Sequence, residues 1–177
     1  MASTSIKSKK EAQLAEQILD ELGVTGKTLP VDVDAILAAK GFVVDERGLP
    51  ENLAAVLDMR REGNPVLLVD KNLGAEQKRL MKAYELGHFL LKPKFNGVRT
   101  DRLPPLATPL GGVPMDKDCK SANRFAYALL IPKPLFDEQI RLNADKAEDD
   151  LARALAAAFG VSATAVVMAR LLYPTFG

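Results

Sequence analysis

Every segment with strand character falls between residues 42 and 70, and helical periodicity lies on both sides of this stretch. Short runs of β-branched and other apolar residues predict three strands, at 42–46, 53–59 and 65–70. The second and third runs flank Gly63-Asn64, whose residue types favour a tight turn, so these two strands are expected to form an antiparallel hairpin. Strands grouped early and helices grouped later are typical of an α+β domain with one small three-stranded sheet.

Apolar residues recur at spacings of three and four along most of the remaining chain, which is the periodicity of an amphipathic helix. A first helix is predicted to end at Gly23, and later ones stop at Pro93 and Pro132. The tail adds a pair of helices over residues 147–173, so the predicted bundle has about six helices. Between two of them, residues 92–116 hold five prolines and three glycines, which predicts a long irregular loop.

The composition is that of one ordinary globular domain. Of the 177 residues, residues 1–9 are polar and predicted as a flexible tail, and residues 10–177 are predicted as a single domain. The net charge of +1, from 24 basic and 23 acidic residues, excludes a strongly basic nucleic-acid module. No apolar run approaches the ~20 residues that cross a bilayer, and the N-terminus lacks the apolar core of a signal peptide. A single cysteine forms no internal disulfide, so a reducing, cytoplasmic location is expected.

The segment at residues 75–91 is predicted as a helix and carries part of a zinc-peptidase motif. In that motif, two histidines four residues apart bind the metal, and a glutamate beside the first is the general base. Here Glu85 and His88 occupy the glutamate and second-histidine positions, whereas Tyr84 stands at the first. His88 is also the single histidine of the chain, which excludes a histidine-rich site. The alternative interpretation is an amphipathic helix whose histidine is a satisfied core residue.

Gly87 and a second helical segment bear on this choice. Glycine costs about 1 kcal/mol relative to alanine inside a helix, so Gly87 predicts that another element approaches closely there. At residues 118–132, Cys119 heads a stripe of small side chains at helical spacing that includes Ala122 and Ala126. Such a stripe suits close packing of two helices. A free cysteine at its head is either a small buried apolar side chain or a ligand.

Three segments together resemble the ImmA/IrrE family of metallopeptidase-like proteins. They are AYELGHFLL at 83–91, SANRFAYALLIP at 121–132 and LARALAAAFGVSATAVVMARL at 151–171. The resemblance extends over residues 10–173. It implies a zincin-like core that is closed by the C-terminal helix pair.

The resemblance also implies a set of site residues. Active members of the family bind zinc through both motif histidines and through a glutamate three residues before the alanine–asparagine pair. The corresponding metal-ligand positions here are Tyr84, His88 and Cys119, and the general-base position is Glu85. Tyrosine is a poor zinc ligand because its hydroxyl, with a pKa of ~10, keeps its proton at neutral pH, whereas a cysteine thiolate is a good one.

These departures favour a degenerate site. Zinc hydrolysis needs three protein ligands and an open position for water. The favoured interpretation is therefore a noncatalytic or catalytically impaired metallopeptidase-like regulator without a bound cofactor. The alternative is an active zinc endopeptidase that cleaves a repressor, using His88 and Cys119 together with Glu85 or with a carboxylate from Asp101, Asp116 or Asp118.

The resemblance further implies a protein partner, either a helix-turn-helix repressor of the XRE type or a toxin of a toxin–antitoxin system. The tail itself has a helix-turn-helix cadence, with Gly160 between two helices and Ser162 as an N-cap. The front of its second helix, residues 163–167, is too apolar to read bases, and Arg170 is its single basic residue. We therefore expect packing at the tail, contact with DNA only indirectly, and no membrane. The partner-binding residues are unknown from the sequence.

Overall fold

The computed structural model of the chain describes residues 4–50, 52–60, 63–103 and 116–173, with side chains from residue 10 onward apart from that of Leu172. Its helices are α1 (Thr4–Glu21), α2 (Val33–Ala39), α3 (Ala75–Leu91), α4 (Lys117–Leu130), α5 (Lys133–Leu142), α6 (Glu148–Phe159) and α7 (Ala163–Leu172). Its strands are β1 (Val43–Arg47), β2 (Ala55–Asp58), β3 (Val66–Asp70) and β4 (Val98–Asp101). The predicted α+β class is confirmed, although the described part has four strands and seven helices instead of three and about six. α1 begins at Thr4, inside the segment predicted as a flexible tail.

The sheet has the strand order β1-β3-β2-β4. β2 is antiparallel to β3, as the hairpin prediction required, with Val56 opposite Leu68. β1 runs parallel to β3, and β4 runs antiparallel to β2 at the edge of the sheet. The prediction that residues 92–116 form only an irregular loop is wrong, because β4 lies within it. Four residues carry too little periodicity to be recognised alone, and pairing with β2 holds the strand in place. Residues 104–115 of that segment lie outside the described part.

Each of the two helices that build the site begins with a hydrogen bond between a side chain and a backbone N–H. The backbone N–H of Gly74 donates to the Gln77 side chain at 2.9 Å at the start of α3. α3 ends at Leu91, just before Pro93, which lacks an N–H and cannot continue a helix. At the start of α4, the Asp116 carboxylate accepts from the N–H of Cys119 at 2.8 Å. These caps satisfy N–H groups that have no partner inside the helix.

α3 is the central helix of the fold, with the sheet on one side and α4 on the other. Its Met81 and Leu86 are completely buried together with Leu57 and Leu67 of the sheet. Against α4, a Cβ placed at Gly87 would lie 3.0 Å from the carbonyl oxygen of an α4 residue, Ala122, and 3.0 Å from the Phe125 ring. The predicted close approach of another element at Gly87 is confirmed. This contact brings the start of α4 beside the buried face of α3.

The C-terminal helices pack as a bent pair. α6 and α7 meet at an angle of 100°, and Gly160 between them adopts the left-handed conformation, with φ +61°. α7 buries Ala165, Val166 and Ala169, while Thr164 is exposed. No single helix in the described ranges is both long and apolar enough to cross a membrane.

Candidate metal centre

Three elements bring the side chains of the centre together. α3 carries Tyr84, Glu85 and His88 on its buried face, where they are 2%, 0% and 1% exposed. The first turn of α4 places the half-buried Cys119 next to them. All four residues that the sequence singled out therefore lie in one region. β4 reaches the same place from the edge of the sheet and contributes Asp101, which lies close to His88 and Cys119.

A guanidinium group links β4 to α4 at this centre. Arg99 and Asp101 are two residues apart on β4, so their side chains project from the same face of the sheet. Arg99 donates from Nε to Asp101 Oδ2 at 3.0 Å and from Nη2 to Oδ1 at 2.9 Å. The same Nη2 also donates to Cys119 Sγ at 3.7 Å. Only 22% of the Arg99 side chain is exposed, so its ion pair with Asp101 lies mostly inside the protein.

Three side chains of the centre offer metal-binding atoms of different kinds. A ring nitrogen of His88, a carboxylate oxygen of Asp101 and the sulfur of Cys119 all lie within 4.8 Å of one another. Zinc takes all three ligand types in proteins. The donor set therefore suits a zinc ion by its chemistry, although Arg99 already binds two of the three donors.

The other two aspartates considered as carboxylate ligands are engaged at the edge of the centre. Asp116 caps α4, and its backbone and side-chain contacts with Cys119 lower its pKa. Asp118 forms an ion pair with Lys92 at 2.6 Å. Among the three aspartates, Asp101 is the one that lies beside the other donors.

Glu85, the general-base position, is fully buried, and neither of its carboxyl oxygens has a hydrogen-bond donor within the described part of the chain. Burial raises the pKa of Glu85 well above its usual value, and the charge of Asp101 adds to this, while Arg99 opposes it. A carboxyl group that keeps its proton cannot take one from water.

His88 is held in its neutral form. Burial, followed by the charge of Arg99, lowers the pKa of His88 to about 4. Its Nε2 is buried without a hydrogen-bond partner among the described residues. The Tyr84 ring stands edge-on to the imidazole, with centroids 4.6 Å apart and an interplanar angle of 88°. A neutral imidazole with an unpaired nitrogen is the form that ligates metals, so His88 retains the properties of a ligand.

The two substituted positions both keep their protons. Burial, and after it a hydrogen bond to Cys119, raises the pKa of the Tyr84 hydroxyl. Burial is also the largest cause of the raised pKa of Cys119, although the hydrogen bonds from Tyr84 and Arg99 act in the opposite direction. A tyrosine or cysteine ligates zinc as its anion, and this arrangement favours the neutral forms.

Sequence reasoning missed Arg99. The signal for it was present in residues 98–101, where the β-branched Val98 and Thr100 alternate with the charged Arg99 and Asp101. This alternation is typical of a strand at a sheet edge, but it was too short to stand out inside a segment rich in proline and glycine. Asp101 was considered only as one of several carboxylates.

The arrangement differs from a zinc-hydrolase site at the positions of the metal ligands. Tyr84 fills one ligand position, and the Arg99 guanidinium binds two of the donors that remain. A zinc hydrolase keeps three ligands and an open position for water around its metal. The residues here therefore fit a three-donor metal site only in an arrangement where Arg99 has released Asp101 and Cys119.

Comparison with known proteins identifies the family of the chain. A search of curated proteins found no match to the chain. The peptidase M78 family model, described as the IrrE N-terminal-like domain, matches residues 39–170. This range begins at the end of α2 and includes every strand, α3, α4 and most of the C-terminal helix pair. The chain therefore belongs to the IrrE N-terminal-like family of M78 metallopeptidase-like proteins.

Proposed function

We propose that this protein is a noncatalytic or catalytically impaired member of its family that regulates a protein partner by binding it. The observation that carries the proposal is the state of the centre. Two of the three ligand positions are Tyr84 and Cys119, and a guanidinium engages the donors, while the surrounding scaffold is intact. The partner is a helix-turn-helix repressor of the XRE type or a toxin. The protein acts in the cytoplasm and reaches DNA only through that partner.

The outer edge of β4 is the surface on which we place the partner. β4 pairs with β2 on one side only within the described sheet. The N–H of Met59, which follows β2, donates to the carbonyl of Gly97. Alternation along an antiparallel pair then turns the backbone groups of Val98 and Thr100 away from β2. An extended segment of the partner can add to this edge through main-chain hydrogen bonds, beside the 48% exposed Val98 side chain.

The test is a pair of variants at one residue of that edge. Thr100→Pro removes an outward N–H, whereas Thr100→Val keeps the N–H and the strand propensity. The probe is a purified XRE-type repressor or toxin, titrated into the protein by calorimetry. We expect Thr100→Pro to weaken binding by about tenfold, or ~1.4 kcal/mol, and Thr100→Val to bind as the wild type does.

Two results would contradict this proposal. Equal affinities for wild type and Thr100→Pro, with both proteins folded by circular dichroism, would remove β4 as the binding edge. Intact-mass detection of partner fragments that disappear with Glu85→Gln would replace the binding role with peptidase activity.

An active zinc endopeptidase is the second candidate function. The observation in its favour is the group of nitrogen, oxygen and sulfur donors from His88, Asp101 and Cys119 within 4.8 Å of one another. This candidate requires Arg99 to leave the centre and Glu85 to lose its proton. It predicts cleavage of the repressor by the zinc-loaded protein, which the mass measurement above detects directly.

A further inference from the structure

We propose that the Arg99 guanidinium is the resident cation of this centre and takes the place that a metal ion occupies in a zinc peptidase. The inference concerns what holds the centre together, so it stands or falls independently of the partner. It rests on the contacts of the Arg99 side chain with Asp101 of β4 and Cys119 of α4.

The contact geometry is that of a cation held by ligands. Arg99 meets Asp101 through two nearly equal N–H···O bonds, at 3.0 and 2.9 Å, which is the two-pronged pairing that guanidinium and carboxylate groups favour. A third donor contact, to Cys119 Sγ, ties the guanidinium to the first turn of α4. A zinc ion in a peptidase joins separate elements in the same way, through ligands from each of them.

The carboxylates around the centre also favour a cation there. Asp101 faces the centre from β4, and Asp116 and Asp118 lie at the start of α4. Lys92 pairs with Asp118 at the edge. Arg99 is positioned among these groups, and its charge acts on Glu85 and on Asp116 as well as on its direct partner Asp101. A fixed positive charge here offsets carboxyl groups that a metal would otherwise offset.

A metal ion entering this centre must compete with Arg99. It needs the Asp101 and Cys119 donors that the guanidinium holds, and it would lie next to a fixed positive charge. Removal of that charge leaves His88, Asp101 and Cys119 as three donors of types that zinc accepts. Arg99 therefore determines the metal affinity of the centre, although it is not itself a ligand.

The experiment measures zinc and cobalt binding by the full chain, purified without a histidine tag. We expect wild type to bind both ions weakly and Arg99→Met to bind them at least about tenfold more tightly. Cobalt in Arg99→Met should produce thiolate-to-metal charge-transfer absorption in the near ultraviolet, and Arg99→Met/Cys119→Ser should lack it. Arg102→Met is the matched control, because it removes the same charge from an exposed position three residues away and should behave as wild type.

Wild-type protein carries the decisive measurement, since it is folded whatever happens to the variants. Tight, stoichiometric zinc binding by wild type, with cobalt absorption that depends on Cys119, would overturn the inference. So would equal metal affinities for folded Arg99→Met and wild type. If Arg99→Met is unfolded without metal, we expect zinc to restore its folding, and the absence of such rescue would also count against the inference. None of these results depends on partner binding, which the Thr100 variants test.

Discussion

At the scale of single residues, one missing methyl group determines how closely α3 and α4 approach. Gly87 faces the backbone of Ala122 and the completely buried ring of Phe125. This close contact places Cys119, at the start of α4, beside Tyr84 and His88. The glycine of the motif is thus part of the packing that assembles the centre.

Gly87→Ala is expected to destabilise the protein. Alanine adds about 1 kcal/mol of helix propensity, but its Cβ would lie 3.0 Å from a carbonyl oxygen and a ring carbon in a packed interface. Overpacking costs about 1–3 kcal/mol, so we expect a net loss on the order of 1 kcal/mol in the free energy of unfolding. This loss is measured by urea denaturation of both proteins, monitored by circular dichroism.

The matched control for this prediction is Gly48→Ala, because the nearest atom to a Cβ there is the Lys71 Cε at 3.8 Å. That change should alter stability by less than about 0.5 kcal/mol. A Gly87→Ala protein as stable as wild type would mean that α4 shifts away without cost.

At the scale of elements, a buried lysine joins α2, β1 and α3. The Nζ of Lys82 on α3 lies 2.8 Å from Asp34 of α2 and 3.0 Å from Glu46 of β1, and its side chain is only 9% exposed. Lys78, one turn earlier, also binds Glu46 at 2.8 Å. The polar side of α3 therefore makes ion pairs to two other elements.

The Glu46 ion pairs should make stability depend on pH in the acid range. Hydrogen bonds from Lys78 and then Lys82 lower the pKa of Glu46 below its usual 4.5. The stabilisation is thus complete above pH 4.5 and is lost as the pH falls through the lowered value. Because Glu46 is 38% exposed, we expect its ion pairs to contribute at most about 1 kcal/mol to the free energy of unfolding.

Melting temperatures of wild type and Glu46→Gln between pH 3 and 7 test this expectation. The difference between the two proteins should be largest near neutral pH and shrink at the acid end. Glu16→Gln, at an exposed position on α1, is the control and should follow wild type throughout. A difference between wild type and Glu46→Gln that stays constant across the range would show that the glutamate stabilises the fold by packing alone.

At the scale of the whole molecule, the fold is larger than the part that the family model matches. The match begins at residue 39, yet α1 packs against α4, the helix that carries Cys119. Ala15, Ile18 and Leu19 of α1 belong to the same apolar core as Phe125. The N-terminal helix is therefore part of the support of the centre.

Ile18→Ala is expected to destabilise the whole chain. Ile18 is 4% exposed, and removing a buried isoleucine side chain to alanine costs about 2–5 kcal/mol. Thermal melting should show one transition at a lower temperature. The control Glu16→Ala, on the exposed side of the same helix, should melt within a degree or two of wild type. An unchanged melting temperature for Ile18→Ala would mean that α1 is dispensable.

Features carried by a single element were predictable from the sequence. The strict spacing of apolar residues and the terminal Pro93 defined α3, and the Gly63-Asn64 turn defined the antiparallel pairing of β2 with β3. Gly87 predicted the close helix contact. Each of these signals is local, because propensity, capping and turn chemistry act between residues close in the chain.

The sequence by itself thus determined the α+β class, the motif helix with Glu85 and His88, and the family. Only the tertiary structure decided that β4 exists and that Arg99 binds Asp101 and Cys119. The physical reason is that a four-residue edge strand forms through hydrogen bonds to β2, and the contact between Arg99 and Cys119 joins residues 20 positions apart. The sequence carries only a four-residue alternation for β4 and no pattern that names its partners, so these contacts are decided only when the sheet and the two helices pack together.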